Sequence, residues 1–114
     1  MQIQVNTDNN VEGREQLASH VRSVVESALS RFSDRITRVE VHLGDENGGK
    51  SGQADKRCMM EVRIEGRQPT AVTHHAATVD QAIDGAADKL VSLVDTTLGR
   101  LRDQNDHKTS HDTA

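Results

Sequence analysis

Aromatic residues are nearly missing from this chain: it has no tryptophan or tyrosine, and Phe32 is its one phenylalanine. A core must therefore be built from Leu, Ile, Val, Ala and Met. A sheet that binds nucleic acid mainly by stacking bases on exposed rings is excluded. Cysteine is also scarce. Cys58 stands alone, so no disulfide can form within the chain, and a reducing compartment is the simplest expectation. No apolar run is long enough to span a bilayer, and the opening MQIQVNTDNN has none of the apolar stretch of a secretory signal. These absences point to a soluble cytoplasmic protein. A basic excess is missing too. The formal net charge of −4 argues against a strongly basic nucleic-acid binder, while leaving room for a local basic stripe. The 114 residues suffice for one domain with one core.

What is present is periodicity. Residues 2–6 alternate, with Ile3 and Val5 set between Gln2, Gln4 and Asn6, which describes a short half-buried strand. The turn NTDNN follows, rich in capping side chains. Leu17, Val21, Val24, Val25, Ala28, Leu29 and Phe32 then recur at helical spacing and predict a helix over about 12–32. In the strand 36–43, Val39, Val41 and Leu43 face one side, and Arg38, Glu40 and His42 the other. The stretch GDENGGKSGQAD, 44–55, has no apolar anchor and reads as a long mobile hairpin loop. A third strand over 57–65 turns Cys58, Met60, Val62 and Ile64 inward and Met59, Glu61 and Arg63 outward. The tight turn GRQP leads to a fourth strand over 70–75.

A last helix is predicted over about 79–102, with Val79, Ile83, Ala87, Leu90, Val94, Leu98 and Leu101 as its buried stripe. Thr78 and Gln81 have the spacing of a capping box. Asp80 and Asp84 early, with Arg100 and Arg102 late, suit the helix dipole. The tail 104–114 has no apolar residue before its final alanine, and is expected to be disordered beyond a single domain over 1–103. The order β-α-β-β-β-α is an α+β fold. Two helices cover one face of a four-stranded mixed sheet, with the first two strands parallel and the last three an antiparallel meander. The other face, carrying Gln2, Gln4, Arg38, Glu40, His42, Glu61 and Arg63, is expected to be polar and open.

Catalytic or metal chemistry finds little support. His74 and His75 are neighbours on a strand, so they point to opposite faces and cannot chelate one metal together; His74 should look toward the helices and His75 away. Cys58 and His42 lie on adjacent strands but face opposite sides, which defeats a nucleophile–base pair. His107 and His111 fall in the tail. Asp80, Asp84 and Asp88 share one helix face and repel one another, which suits a solvated acidic face or a docking face for a basic partner. No nucleophile–base pair, phosphate loop or metal-spaced ligand set is visible, so the expectation is a non-enzyme without cofactor.

Three stretches carry a family resemblance. SRFSDRITRVEVHL at 30–43 joins a basic helix end to an alternating strand. Glu61 to Ile64 runs into a glycine-containing turn. Gln81-Ala82-Ile83-Asp84 is followed by Asp88-Lys89-Leu90. In this order the chain resembles the ribosome hibernation-promoting factor and ribosome-associated inhibitor family (sigma-54 modulation protein-like), over about residues 2–102. The length suits the short form, which lacks the C-terminal dimerisation domain of longer members. The resemblance implies a fold similar to a double-stranded RNA-binding domain with an added first strand. It also implies binding to the small ribosomal subunit and its RNA, blocking translation and preserving idle ribosomes. Phosphate contacts would come from Arg22, Arg31, Arg35, Arg38, Lys89, Arg100 and Arg102. The chain departs from the family where Asp-Lys-Leu is followed by VSLVDTT rather than by basic residues. Over 79–103, Lys89, Arg100 and Arg102 face Asp80, Asp84, Asp88, Asp95 and Asp103, a net charge of −2. The member expected is thus an acidic, divergent one. The alternative is a protein-interaction module of the same fold that no longer binds ribosomes and uses its acidic last helix or its open sheet face.

Overall fold

Alternating apolar residues make strands with one greasy side, and two helical stripes supply the layer that covers it. The computed structural model describes residues 1–8, 14–45 and 55–113, with the side chains of the last helix described as far as Gly99. Along the chain come β1 (Gln2–Thr7), α1 (Arg14–Ala28), a 3-10 turn (Ser30–Phe32), β2 (Ile36–Asp45), β3 (Lys56–Ile64), β4 (Thr70–Ala76) and α2 (Val79–Thr113). The sheet order is β1-β2-β3-β4. β1 pairs with β2 in parallel, as a strand–helix–strand crossover requires, and the remaining pairs are antiparallel. The α+β order read from periodicity is the order observed.

Both helices lie on the sheet face that carries Val39, Val41, Cys58, Met60 and Val62, each fully buried. α1 sits over β1 and contributes Val21 and Val25; α2 sits over β3 and β4 and contributes Ile83, Leu90 and Val94. Each helix returns antiparallel to the strand before it, so the two helices run parallel to one another. His20 lies 3.9 Å from Asp80 near the start of α2, and Arg31 lies 3.7 Å from Asp95 further along. The capping threonine works as its spacing predicts: the Gln81 N–H donates to Thr78 Oγ1 at 3.1 Å.

Four local features differ from the periodic expectation. The helix expected over 12–32 is α1 followed by a tighter turn, in which the Phe32 N–H donates to the Leu29 carbonyl at 2.9 Å. Spacings of three suit either helix type, so the apolar stripe could not separate them. In β2, a bulge between Ile36 and Arg38 resets the alternation. Ile36 shares the parity of outward Arg38, yet it is buried, and Thr37 Oγ1 donates to the Arg63 carbonyl at 3.2 Å. The polar stretch 44–55 is not loop throughout: Gly44 and Asp45 finish β2, and Asp45 and Asp55 are buried; residues 46–54 lie outside the described ones. Finally, the last helix, expected over about 79–102, runs from Val79 to Thr113. Residues 104–113 contain neither glycine nor proline, so nothing interrupts the backbone ladder. At 1.5 Å per residue a 35-residue helix spans about 52 Å, well beyond strands of ten residues or fewer.

Candidate nucleic-acid interface

Of the seven basic residues picked out in the sequence, the five whose side chains are described do not form one patch. Arg22 is exposed on α1. Arg31, exposed at the 3-10 turn, places its guanidinium 4.6 Å from the Phe32 ring centre and 3.7 Å from Asp95. Arg35 is exposed in the turn before β2, where its carbonyl accepts from the Glu65 N–H at 2.9 Å, which ties this turn to the end of β3. Arg38 is on the opposite face of the sheet, bonded to Gln4 Oε1 and paired with Glu40 at 2.6 Å. Lys89 reaches away from α1: its ammonium donates to the Thr73 carbonyl of edge strand β4 at 2.9 Å. Arg100 and Arg102 belong to α2, and their side chains lie outside the described ones.

The topology nevertheless gathers cations at one end of the sheet. β2 starts there and β3 ends there, so Arg31, Arg35 and the exposed Arg67 of the β3–β4 turn share a rim. Arg38 and Arg63 are cross-strand partners on the open face of the same end. Arg63 and Arg67 were missed as candidates because nothing in the local sequence says that a hairpin turn and a helix end will meet. Three of these cations have an acid nearby: Arg31 has Asp95, Arg38 has Glu40 and Arg63 has Glu61. Glu40 and Glu61 are themselves cross-strand partners, one row on from the arginines, and Arg63 Nε lies 3.8 Å from Glu61. Like charges directly opposite are unfavourable in a sheet, and the Arg–Glu pairs along each strand offset that. Beside the rim a shallow hollow is lined by Ile64, Gly66, Arg67, Gln68, Leu93 and Thr97. Gly66 takes φ 76°, the left-handed turn conformation that glycine adopts without strain.

The residues with chemical potential are spread apart. His74 faces the helices and lies against Gly85 of α2: a Cβ added to Gly85 would meet His74 Cδ2, Nε2 and Cγ, the last at 2.6 Å. His75 is exposed on the other face, as strand alternation requires. Cys58 pairs in register with Leu43 and His74, not with His42, whose partner is Met59. Its thiol is fully buried, and burial alone pushes its pKa up to about 12, which leaves it protonated and unreactive near neutrality. Asp80, Asp84 and Asp88 are all exposed. At the other end of the sheet, the Lys56 ammonium lies 3.0 Å from Asp45 and 3.3 Å from Asp55. Its pKa is raised, first by the hydrogen bond to Asp45, against the opposing effect of desolvation. Among the described residues no group of three His, Cys, Asp or Glu is placed to hold a metal ion. No helix among them is long and apolar enough to cross a membrane. His107 and His111 fall where side chains are not described.

Comparison with known proteins agrees with this architecture. Residues 3–102 match the family described as Sigma 54 modulation protein / S30EA ribosomal protein. No curated protein matches the chain. Among solved structures, a ribosomal subunit interface protein from Coxiella burnetii superposes with a TM-score of 0.63 at 16% identity, over 87% of this chain and 99% of that one. The N-terminal domain of Protein Y from Thermus thermophilus superposes with a TM-score of 0.61 at 25% identity, over 85% of this chain and 99% of that one.

Proposed function

The chain belongs to the Sigma 54 modulation protein / S30EA ribosomal protein family of ribosome-associated factors, and from that premise we propose that it binds the small ribosomal subunit and holds idle ribosomes out of translation. The single observation that carries this reading is the family match over residues 3–102, which takes in both helices' packed length and all four strands. Such a factor acts in the cytoplasm by occupancy. It needs no cofactor and breaks no bond. The ligand is the phosphate backbone of ribosomal RNA, met by the cationic end of the sheet through Arg31 and Arg35, with Arg22 and Arg38 on neighbouring surfaces. Arg100 and Arg102 continue the basic set along α2. Lys89 joins it only by releasing the Thr73 carbonyl. Phosphate contacts of this kind release counterions, so affinity falls steeply with salt.

Co-sedimentation with small subunits over a salt series tests the proposal. Pelleting that weakens steeply with salt, and that fails in an Arg31→Glu/Arg35→Glu variant, is the expected result. Unchanged, salt-resistant pelleting of that variant removes the arginines from the interface. A second reading is favoured by one observation: Asp80, Asp84 and Asp88 form an exposed acidic row on α2. On that reading the domain docks a basic protein through α2 and leaves ribosomal RNA alone. Pulldown from bacterial extract with and without nuclease separates the two, since only the first partner is lost with the RNA.

A further inference from the structure

The cationic end of the sheet carries its own competitor. Among the described residues, Arg31 is the rim arginine whose ion pair crosses from one element to another: its Nη2 lies 3.7 Å from Asp95 Oδ1 on α2. Both side chains are more than half exposed, at 64% and 56%, so the pair stands in solvent where an incoming ligand can reach it. The Arg31 guanidinium stacks over the Phe32 ring, 4.6 Å from its centre, and its N–H groups remain open to an oxyanion. Asp95 stands within ion-pair range through one oxygen, at a distance longer than a hydrogen bond. A carboxylate and a phosphate are rival anions for one guanidinium, so the two compete for it.

We propose that Asp95 is an affinity-setting residue: it acts as an intramolecular stand-in for a phosphate of ribosomal RNA, and the RNA must displace it to reach Arg31. The inference rests on the reading of this end as a phosphate-binding surface and adds the residue that limits its strength. The pair is exposed, so its rupture is worth little, and the effect is one of tuning rather than of switching. Asp95 also sits within a Debye length of any phosphate on Arg31, so its charge opposes binding before the contact forms.

The test is a double-mutant cycle read by binding to small subunits in a salt series. Asp95→Asn should tighten binding by about two- to five-fold, the range an exposed ion pair supports. It should also steepen the salt dependence by up to about one phosphate equivalent. Asp88→Asn, with the same change in net charge on the same helix, should give less than half of the gain. In an Arg31→Gln background the Asp95→Asn gain should shrink to the level of that control. Equal gains in both backgrounds, or from both aspartates, would mean that only net charge matters and would overturn the inference. Pyrophosphate titration, followed by NMR at the Arg31 side-chain Nε–Hε, keeps it separate from the ribosome reading. Tighter pyrophosphate binding at Arg31 in Asp95→Asn supports the competition even if no ribosome binds. Identical titrations refute it even if ribosomes do.

Discussion

Placing an alanine at position 85 sets two physical effects against each other at a known distance. Gly85 sits inside α2, where alanine is favoured over glycine by about 1 kcal/mol through helix propensity alone. The new methyl, however, would fall onto the His74 imidazole, with Cγ 2.6 Å away and Cδ2 and Nε2 also in overlap. Ordinary carbon contacts need about 3.5 Å or more, so the ring must swing out or α2 must lift from β4. Overpacking of this kind costs about 1–3 kcal/mol. Gly85→Ala should therefore lose up to about 2 kcal/mol net. In a His74→Ala background the obstruction is gone, and the same substitution should stabilise by about 1 kcal/mol. The sign reversal corresponds to a coupling of about 1–3 kcal/mol, within the range for touching residues. Urea unfolding by circular dichroism of the four proteins measures it, as midpoint shifts on the order of 1 M. Equal stabilisation in both backgrounds would show that His74 and Gly85 do not meet, and that α2 does not rest on β4 as described.

Other outcomes follow from the same packing. Leu90→Ala, at a position 1% exposed under α2, should cost about 2–5 kcal/mol in the same assay. Cys58, with its pKa raised from 9.0 to about 12 by burial, should resist alkylation in the native state near pH 8. Because the folded form holds this proton longer than the unfolded chain, stability should be undiminished below pH 9.0 and fall between there and about 12. The slope from this one group is at most about 1.4 kcal/mol per pH unit, and Cys58→Ala should remove it. Lys56→Met should lower the urea midpoint at neutral pH by leaving buried Asp45 and Asp55 without their shared cation. The Lys56 pKa is raised, so its contribution is complete below the ordinary 10.5 and is lost as pH rises through the raised value. The deficit of the methionine variant should therefore narrow in strong alkali.

Whatever depends on a local period was legible in the residues. Alternation in 2–6, 36–43, 57–65 and 70–75 gave all four strands and the correct inward side of β2 and β3. It also separated His74 from His75. What depends on two segments meeting was hidden. Asp45 and Asp55 look like loop residues in GDENGGKSGQAD; Asp55 adjoins Lys56 in the chain, but only the β2–β3 register brings Asp45 to it. Ile36 has the wrong parity until the bulge at Thr37 corrects it. The candidate surface suffered most. The five basic candidates with described side chains are divided between two sheet faces, a strand edge and a helix end, while Arg67 comes from a hairpin turn. Asp95 looks in the sequence like one more helix acid, because its partner Arg31 lies 64 residues earlier.

The hydrogen bond from Lys89 to the Thr73 carbonyl bears on how this protein behaves in a crowded solution. β4 ends the sheet, and an outermost strand invites a foreign strand to zip alongside it. An ammonium laid on that border occupies a backbone acceptor and confronts an approaching strand with a charge that it must desolvate. Exchanging Lys89 for an uncharged residue would thus show itself first in shelf life, as slow oligomer growth at high protein concentration, before any loss of fold.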